Sequence, residues 1–292
     1  FRSFAPLTNM EKVQGGTFSM GTAEGSSAPI HTVTVSSFEI GSKEVSVKLY
    51  KEVMGRSLNE FSSGEDCPVD GISWYQAVVF CNKLSSMLGL TPCYKLSGSS
   101  NTDEWGSLPY ASIEETSYGD TEAASYMNVI GDTQKWNTII CDFTASGYRL
   151  PTEAEWEFAA RGGINDDKTK DSGSDKLEEA VICDATWFHK FTPVSGQKKP
   201  NSLGLYDMSG SAWEWCWDWY ANYTNQSQEN PTGPQTGNSR VRRGGSVFDQ
   251  VDSTDYDVFS RNSYEPVYSS NSTWPFSKAG IFGFRIARSI DR

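Results

Sequence analysis

The sequence predicts an α+β protein, and three patterns support this fold class. Apolar and polar residues alternate at 31–40, and tryptophans recur with period two at 213–219, as expected of β-strands. Ser73 and Thr152 are each followed three positions later by Gln or Glu, which is the capping-box signature of a helix start. Long stretches rich in Ser, Gly, Asp and Thr separate these segments and predict many loops.

The composition indicates a chain that can bury a core. Of the 292 residues, 37% are hydrophobic and 13% are aromatic, which argues against global disorder. We find neither a linker nor a repeat and therefore expect a single domain spanning 1–292. The net charge of −12 argues against nucleic acid or an anionic membrane surface as a partner.

The ends of the chain and its apolar runs bear on localisation. No apolar run reaches the roughly 18 residues that a membrane span needs, so we expect no transmembrane segment. The sequence begins at Phe1 rather than Met, which fits the trimmed start of an exported protein.

Six cysteines and two histidines limit the chemistry that the chain can perform. No two cysteines are close enough in sequence for a zinc knuckle or a Cys-x-x-Cys redox pair. With only His31 and His189 present, imidazole catalysis and a His-rich metal site are nearly excluded. The even number of cysteines permits disulfides in an oxidising compartment, but free thiols are an equal alternative.

The N-terminal half predicts two strands and two helices. A turn at 15–16 precedes a short strand, and a half-buried strand follows at 31–40. Ser46 begins a short helix that Gly55 ends. Ser73 begins a longer helix that ends at Gly89 and has four inward residues, namely Ala77, Cys81, Leu84 and Leu88.

The middle of the chain alternates loops with one helix. Residues 97–140 predict a surface excursion of short strands and loops, and residues 164–180 predict a solvated loop. Thr152 and Glu155 begin a helix whose buried stripe we expect at Trp156, Ala159 and Ala160. Its glutamates suit capping and the helix dipole, with a catalytic carboxylate pair as the alternative.

The C-terminal part has a regular frame and an irregular interior. The strand at 213–219 is followed by a loop at 221–239. The stretch 240–285 then opens with Arg240-Val-Arg-Arg-Gly-Gly245 and closes with Gly283-Phe-Arg285, and between them polar and aromatic residues show little periodicity. Such an insert is typical of a display surface; that this segment, at about 240–288, is variable is what the resemblance of its framing motifs implies.

Several phrases, in this order, resemble the formylglycine-generating-enzyme family, also called the sulfatase-modifying-factor domain. The resemblance covers nearly the whole chain and implies a loop-rich variant of the C-type lectin fold with few helices. The phrases are Gly15-Gly-Thr-Phe-Ser-Met-Gly21, Pro68-Val-Asp-Gly-Ile-Ser-Trp74, Tyr148-Arg-Leu-Pro-Thr-Glu-Ala-Glu-Trp156, Gly204-Leu-Tyr-Asp-Met-Ser-Gly-Ser-Ala-Trp-Glu-Trp215, Arg243-Gly-Gly-Ser246 and Gly283-Phe-Arg285.

The resemblance also implies what the enzymes of the family need. They oxidise a client cysteine with a pair of cysteines that binds copper, because soft Cu(I) selects sulfur. Anchored on Arg261, those positions fall near Ser253 and Val258, and no cysteine follows Cys216. Neither side chain replaces a thiolate, so we expect no oxidase activity and no copper.

A second resemblance is to the variable proteins of diversity-generating retroelements, of the treponemal type. In these proteins a C-terminal segment between an Arg-Gly-Gly start and a Gly-Phe-Arg end is rewritten by mutagenesis, and relatives are lipid-anchored at the cell surface. Residues 246–282 are rich in Ser, Asp, Tyr and Phe, which suit adaptable contacts. The predicted ligand-binding residues are Ser246, Phe248, Asp249, Asp252, Ser253, Asp255, Asp257, Tyr264 and Tyr268.

The turn at 207–214 raises the question of a structural metal. The resemblance places calcium there, held by the side chains of Asp207 and Glu214 and the carbonyls of Gly210 and Ala212. Hard oxygen ligands suit Ca²⁺. Hydrogen bonding of the two carboxylates to backbone amides is the alternative.

Together these features predict a non-enzymatic, surface-displayed protein that binds a protein or host-surface ligand through residues 246–282. Two alternatives stay open. One is an oxidase of the family that uses unusual residues. The other is a pseudoenzyme that docks a partner through another face.

Overall fold

The computed structural model describes residues 9–56, 64–115, 125–183, 192–250, 253–268 and 281–290. Among these residues the α-helices are α1 (Val47–Met54), α2 (Trp74–Met87), α3 (Thr133–Trp136), α4 (Glu153–Ala160) and α5 (Leu177–Ala180). The strands are β1 (Met10–Val13), β2 (Gly16–Met20), β3 (His31–Val35), β4 (Phe38–Gly41), β5 (Tyr94–Lys95), β6 (Tyr110–Glu115), β7 (Ser125–Ile130), β8 (Ile140–Cys141), β9 (Tyr148–Arg149), β10 (Trp213–Trp219), β11 (Gln228–Glu229), β12 (Arg240–Arg243), β13 (Asn262–Tyr264), β14 (Phe282–Gly283) and β15 (Ala287–Ser289).

Two four-stranded sheets bring together distant parts of the chain. One has the order β1-β4-β15-β9, and in it Ala287 of β15 lies opposite Ile40 of β4 and Arg149 of β9. The other has the order β13-β12-β10-β14. A three-stranded sheet, β11-β3-β2, and the pairs β5-β8 and β6-β7 complete the pairing in the described part of the chain. The mixed α+β class that the sequence predicts is therefore confirmed.

Strand β10 lies between two hydrophobic cores. Trp213 and Trp215 belong to the core built on α1 and α2, while Cys216 belongs to the core of β3, β4 and α4. The indole N–H of Trp74 donates to the Cys216 carbonyl at 3.0 Å, and that of Trp215 donates to the Ile72 carbonyl at 2.6 Å. The predicted aromatic strand is present, but both of its faces are buried, because it separates two cores.

The predicted helix starts form as the sequence indicates. Ser46 accepts a hydrogen bond from the N–H of Leu49, and Gly55 ends α1 with φ of 74°. At Ser73 both halves of the capping box are present, and Gly89, with φ of 71°, follows the end of α2. The capping box at Thr152 is likewise complete. The thiol of Cys81 lies in the core, as expected.

Three segments differ from the sequence prediction. The strand expected at 31–40 is two strands, β3 and β4, because the break at 36–37 binds neighbouring loops: Ser37 Oγ accepts the Gly15 N–H at 3.0 Å. Helix α4 has no buried stripe, since all eight of its residues are buried. The expected solvated loop at 164–180 contains α5 and buries Asp171 and Ser172.

The surface excursion at 97–140 contains the β6–β7 hairpin, α3 and a 3₁₀ turn, which agrees with the short strands and loops predicted there. The described part of the chain contains no disulfide between the cysteines. No helix in the described ranges is long and apolar enough to cross a membrane.

Candidate ligand-binding segment and its framework

The two ends of the segment 240–285 flank the same strand. At its start, β12 pairs antiparallel with β10, so that Arg243 lies opposite Glu214. At its end, β14 pairs in parallel with β10 on the other side, so that Gly283 also lies opposite Glu214. The interior of the segment therefore leaves and re-enters the molecule at neighbouring points of one sheet.

Three buried ion pairs fix this segment at its start, middle and end. Arg243 donates to Glu157, and both side chains are fully buried. Arg261 donates two hydrogen bonds to Glu153, at 2.8 and 2.7 Å.

The third pair joins Arg285 to Glu214, with two hydrogen bonds of 2.6 Å each. Burial is the largest single effect on these three arginines, and it lowers their pKa values. Attraction to the carboxylate partner raises them, and together with smaller effects it leaves each pKa above its usual value. Bidentate pairs of this kind set position as well as charge.

Helix α4 supplies two of those three carboxylates. Glu153 and Glu157 lie four positions apart and point to the segment, while Glu155 between them binds Arg149 at 2.6 and 2.8 Å and completes the capping box. The capping interpretation of these glutamates is therefore correct only for Glu155. Helix α4 has three glutamates among apolar residues that predict burial. That pattern is the signal from which the ion pairs could have been predicted.

Two further arginines of β12 are held by aromatic rings. The guanidinium of Arg240 lies between the rings of Trp74, at 3.7 Å, and Trp219, at 3.5 Å. That of Arg242 lies 4.3 Å from the Trp213 ring. Cation–π contacts offset part of the cost of burying such charges. Burial lowers the pKa of Arg242 to about 10, and the largest effect that raises it is attraction to Asp249.

The structure separates the predicted ligand-binding residues into two groups. Ser246 and Asp257 are buried, at 0% and 3% exposure, so they act on their neighbours rather than on solvent. Ser246 donates its backbone N–H and its hydroxyl to Asp249 Oδ2, and Lys170 lies 3.0 Å from Asp257. The half-buried residues are Phe248, Asp249, Ser253, Asp255, Tyr264 and Tyr268.

Several half-buried residues gather around Arg242. Asp249, Tyr264 and Asp255 are the charged or ionisable groups that act on its guanidinium. The ring of Tyr264 lies 5.2 Å from that guanidinium and 5.0 Å from the ring of Tyr268. The arrangement places carboxylate, hydroxyl and aromatic groups around the guanidinium of Arg242.

The remaining predicted positions are placed as follows. Ser253 caps a 3₁₀ turn by accepting the N–H of Asp255, and Val258 is buried in the second core, so neither offers a reactive group. Burial raises the pKa of the Cys216 thiol well above its usual range. Asp252 and residues 269–280 lie outside the described residues.

The proposed calcium ligands lie beside a buried acidic group. Asp207 Oδ2 accepts the Gly196 N–H at 2.5 Å, while its Oδ1 is buried without a hydrogen-bond partner in the structure. Glu214 shares its oxygens between Arg285 and the indole of Trp156, at 2.9 Å. Glu44 accepts the Ala212 N–H at 3.1 Å. The described residues contain no group of three or more His, Cys, Asp or Glu side chains arranged around one metal position.

The carboxyl groups of Glu44, Asp207 and Glu214 lie near the cation Arg285, and Lys43 also acts on Asp207. Burial, followed by repulsion from Glu214, raises the pKa of Glu44, and burial raises the pKa of Asp207. Among the described residues the Oδ1 of Asp207 has no hydrogen-bond partner, so it is the side-chain atom left to hold a calcium ion, whereas both oxygens of Glu214 bind Arg285.

Comparisons with known proteins agree with this architecture. The Treponema denticola variable protein 1 superposes with a TM-score of 0.75, with 31% identity over 96% of this chain and 94% of that chain. The protein CarF superposes with a TM-score of 0.67 at 25% identity, covering 97% of this chain and 99% of that chain. The Chaperone protein LppX of Paenibacillus barcinonensis is 31% identical over 294 residues, which cover 95% of this chain and 88% of that protein.

Enzymes are among the relatives as well. The formylglycine-generating enzyme of Streptomyces coelicolor is 34% identical over 171 residues, which cover 53% of this chain and 51% of the enzyme. The family model described as the sulfatase-modifying factor enzyme 1-like domain matches residues 2–290. The predicted family and its loop-rich C-type lectin fold are thus confirmed, and the chain belongs to the sulfatase-modifying factor enzyme 1-like family.

Proposed function

We propose that this protein is a non-enzymatic binding protein whose contact face is formed by residues 246–282. The observation that carries the proposal is the clamping of this segment by three buried ion pairs, at Arg243, Arg261 and Arg285. A frame that is fixed at three points keeps its shape when the residues between those points change. The half-buried Tyr, Phe, Ser and Asp side chains between them suit contacts with a protein surface.

The absence of a thiol from the segment supports a binding role over an oxidase role. No cysteine follows Cys216 in the sequence, and the thiols of Cys81, Cys141 and Cys216 are kept protonated by burial, which raises their pKa values. A thiol needs its thiolate form to act as a nucleophile or a metal ligand. Turnover of a cysteine-containing sulfatase peptide in the presence of copper would restore the oxidase alternative.

We further propose that the segment is diversified by a retroelement and that the protein is exported and lipid-anchored at the cell surface. The likeness to the Treponema denticola variable protein supports this proposal. The test is the genomic neighbourhood: we expect a near-duplicate of codons 240–285, with adenines at the changed positions, beside a reverse-transcriptase gene. A neighbourhood that lacks both features would refute diversification.

Surface display has its own test. Intact cells treated with an external protease should lose the protein, and cells fed a labelled fatty acid should incorporate the label into it. A protein that stays protected until the cells are lysed would refute display.

A structural calcium ion bound by Asp207, Glu214 and the carbonyls of Gly210 and Ala212 is part of the same proposal. The buried Oδ1 of Asp207, which has no hydrogen-bond partner among the described residues, supports the ion. Its role would be to fix the turn that precedes β10, the strand with which both ends of the segment pair.

A second candidate function is docking of a client protein through another face. The relative named as a chaperone, similar over 95% of this chain, favours this candidate. The two candidates differ in one outcome: exchanging residues 246–282 changes partner affinity under the first and leaves it unchanged under the second.

A further inference from the structure

A second surface feature is a cleft of about 530 Å³. Neither the half-buried residues of the segment 246–282 nor the turn at 207–214 lines it. Its volume falls in the usual range for small-molecule sites, about 300–1,000 Å³. Its lining comes from the start of α4, the end of β10, His31 of β3 and the stretch 221–234, which includes β11. Among the described residues Arg261 is the one lining residue from the C-terminal segment.

The charged groups of this cleft are mainly acidic. Three carboxylates line it, those of Glu153, Asp218 and Glu229, against the single guanidinium of Arg261. That guanidinium is already engaged by Glu153 through two hydrogen bonds, at 2.8 and 2.7 Å. Glu229, which is exposed, therefore remains as the free carboxylate of the lining, while Asp218 is buried and gains its charge only when it ionises. The net charge of −12 on the whole chain adds to the same field.

The aromatic lining suits the apolar body of an organic cation. Trp219, Tyr223 and His31 line the cleft, with the rings of His31 and Tyr223 4.7 Å apart. The Tyr223 ring already carries the guanidinium of Arg261, at 3.9 Å, and the Trp219 ring carries that of Arg240, at 3.5 Å, so a ligand contacts the remaining surface of these two rings. Cations are attracted to such faces by the ring quadrupole.

Asp218 is a buried acid of the cleft. It is 5% exposed, and its Oδ2 accepts the N–H of Glu153 at 2.8 Å. Burial, followed by the charge of Glu153, raises the pKa of Asp218 to about 8, so that the carboxyl holds a proton at neutral pH. The charged and titratable groups that face it are Glu153, Glu155, Glu229, Arg240, Arg261 and His31.

We propose that this cleft binds an organic cation, an alkylammonium or guanidinium group. Asp218 and Glu229 hold the charge of the ligand, while Trp219 and Tyr223 contact its apolar part. The site shares Arg261 with the segment 246–282, but none of the half-buried residues of that segment lines it. Binding of the cation stabilises the ionised carboxylate of Asp218 and therefore releases a proton at neutral pH.

Ligand-observed NMR titration of the intact chain with agmatine tests the proposal, because agmatine carries both an ammonium and a guanidinium group. Butylurea is the matched neutral probe, and we expect it to bind at least about ten times more weakly. The variant Glu229→Lys should lower the affinity for agmatine by about ten times or more. Glu52→Lys makes the same charge change on the exposed face of α1 and should leave the affinity within about a factor of two.

The buried acid gives a second, independent readout. Asp218→Asn keeps an acceptor for the Glu153 N–H but cannot ionise, so above about pH 8 it should lower the affinity for agmatine by about ten times or more. In the wild type the affinity should rise with pH as Asp218 ionises, and this rise should be absent in Asp218→Asn. Glu229 is exposed, so its variant tests the site even if Asp218→Asn does not fold.

Three results would overturn the proposal. The first is no binding of agmatine to the wild type. The second is equal binding of agmatine and butylurea. The third is an affinity that falls equally in Glu229→Lys and Glu52→Lys, since that result would show only a non-specific response to net charge.

Discussion

The ion pair between Arg285 and Glu214 offers a direct test of how the C-terminal segment is held. Glu214→Gln keeps the shape of the side chain and one acceptor oxygen but removes the charge. Arg285 is 0% exposed and would keep its positive charge in a place where water cannot reach it. Its remaining acceptors are the carbonyls of Gly41 and Tyr206, at 3.1 and 3.0 Å, which carry no charge.

The expected loss of stability follows from the burial of both partners. Removing one partner of a buried, hydrogen-bonded pair costs about 3–5 kcal/mol when the charge left behind is uncompensated, and we expect the lower part of this range because Glu44 and Asp207 also act on Arg285. For a chain of this size each kcal/mol lowers the unfolding temperature by about 2 °C, so we expect a decrease near the lower end of a range of roughly 6–10 °C. The exposed pair Lys51–Glu65, at 3.7 Å and with side chains 58% and 61% exposed, is the matched control.

The assay is thermal and chemical unfolding of wild type, Glu214→Gln and Glu65→Gln under the same conditions. The control should lose less than about 1 kcal/mol, since exposed pairs contribute little. If Glu214→Gln lost no more than Glu65→Gln, the claim that buried pairs clamp the segment would be refuted.

Three further predictions concern other parts of the molecule. Thr152→Ala removes the hydroxyl that accepts the Glu155 N–H at 3.1 Å and should cost about 1 kcal/mol in a denaturant titration; an unchanged midpoint would contradict the capping-box assignment. The pKa of Asp218 rises from 3.8 to about 8 on folding, so the folded state holds a proton that the unfolded state loses; stability should therefore fall as pH rises from about 4 to about 8, and Asp218→Asn should reduce that slope, to which Asp171, with a pKa raised to about 6, also contributes. Calcium at one hundred times its dissociation constant should stabilise the fold by about 2.7 kcal/mol and a chelator should remove this gain, whereas an unfolding temperature indifferent to both, or an undiminished gain in Asp207→Asn, would refute the ion site.

Local features of the fold were predictable because their signals lie within a few residues. The capping boxes at Ser73 and Thr152 need only a side chain and a partner three positions later. The strand of tryptophans at 213–219 follows from period-two spacing. What periodicity did not indicate is that β10 is buried on both faces, because this depends on two cores assembled from distant segments.

The framework of the candidate site could not be predicted from local sequence. Arg243 and Glu157 are 86 residues apart, and Arg261 and Glu153 are 108 residues apart. The family motifs show where the arginines lie in the sequence, but they do not show which side chains the arginines bind. Three-dimensional pairing supplies that reason, since each arginine neutralises a carboxylate that would otherwise be buried alone.

Composition also overstated how much of the segment faces solvent. Ser246 and Asp257 are predicted to contact ligand because they lie in the segment that resembles a diversified segment rich in Ser, Asp, Tyr and Phe. In the structure Ser246 is satisfied by Asp249, and Asp257 is paired with Lys170. Buried polar groups that find partners cost little, so polarity alone does not predict exposure within a folded segment.

The central claim is that a clamped frame carries a replaceable binding face. The most direct measurement is a display library varied at the half-buried positions Phe248, Asp249, Ser253, Asp255, Tyr264 and Tyr268, selected against a purified test protein, with the unfolding temperature of every selected clone measured. The account predicts clones that bind specifically and unfold within about 5 °C of the wild type, because the arginine pairs are unchanged. A library that yields no binders, or only binders whose frame has lost its stability, would contradict it.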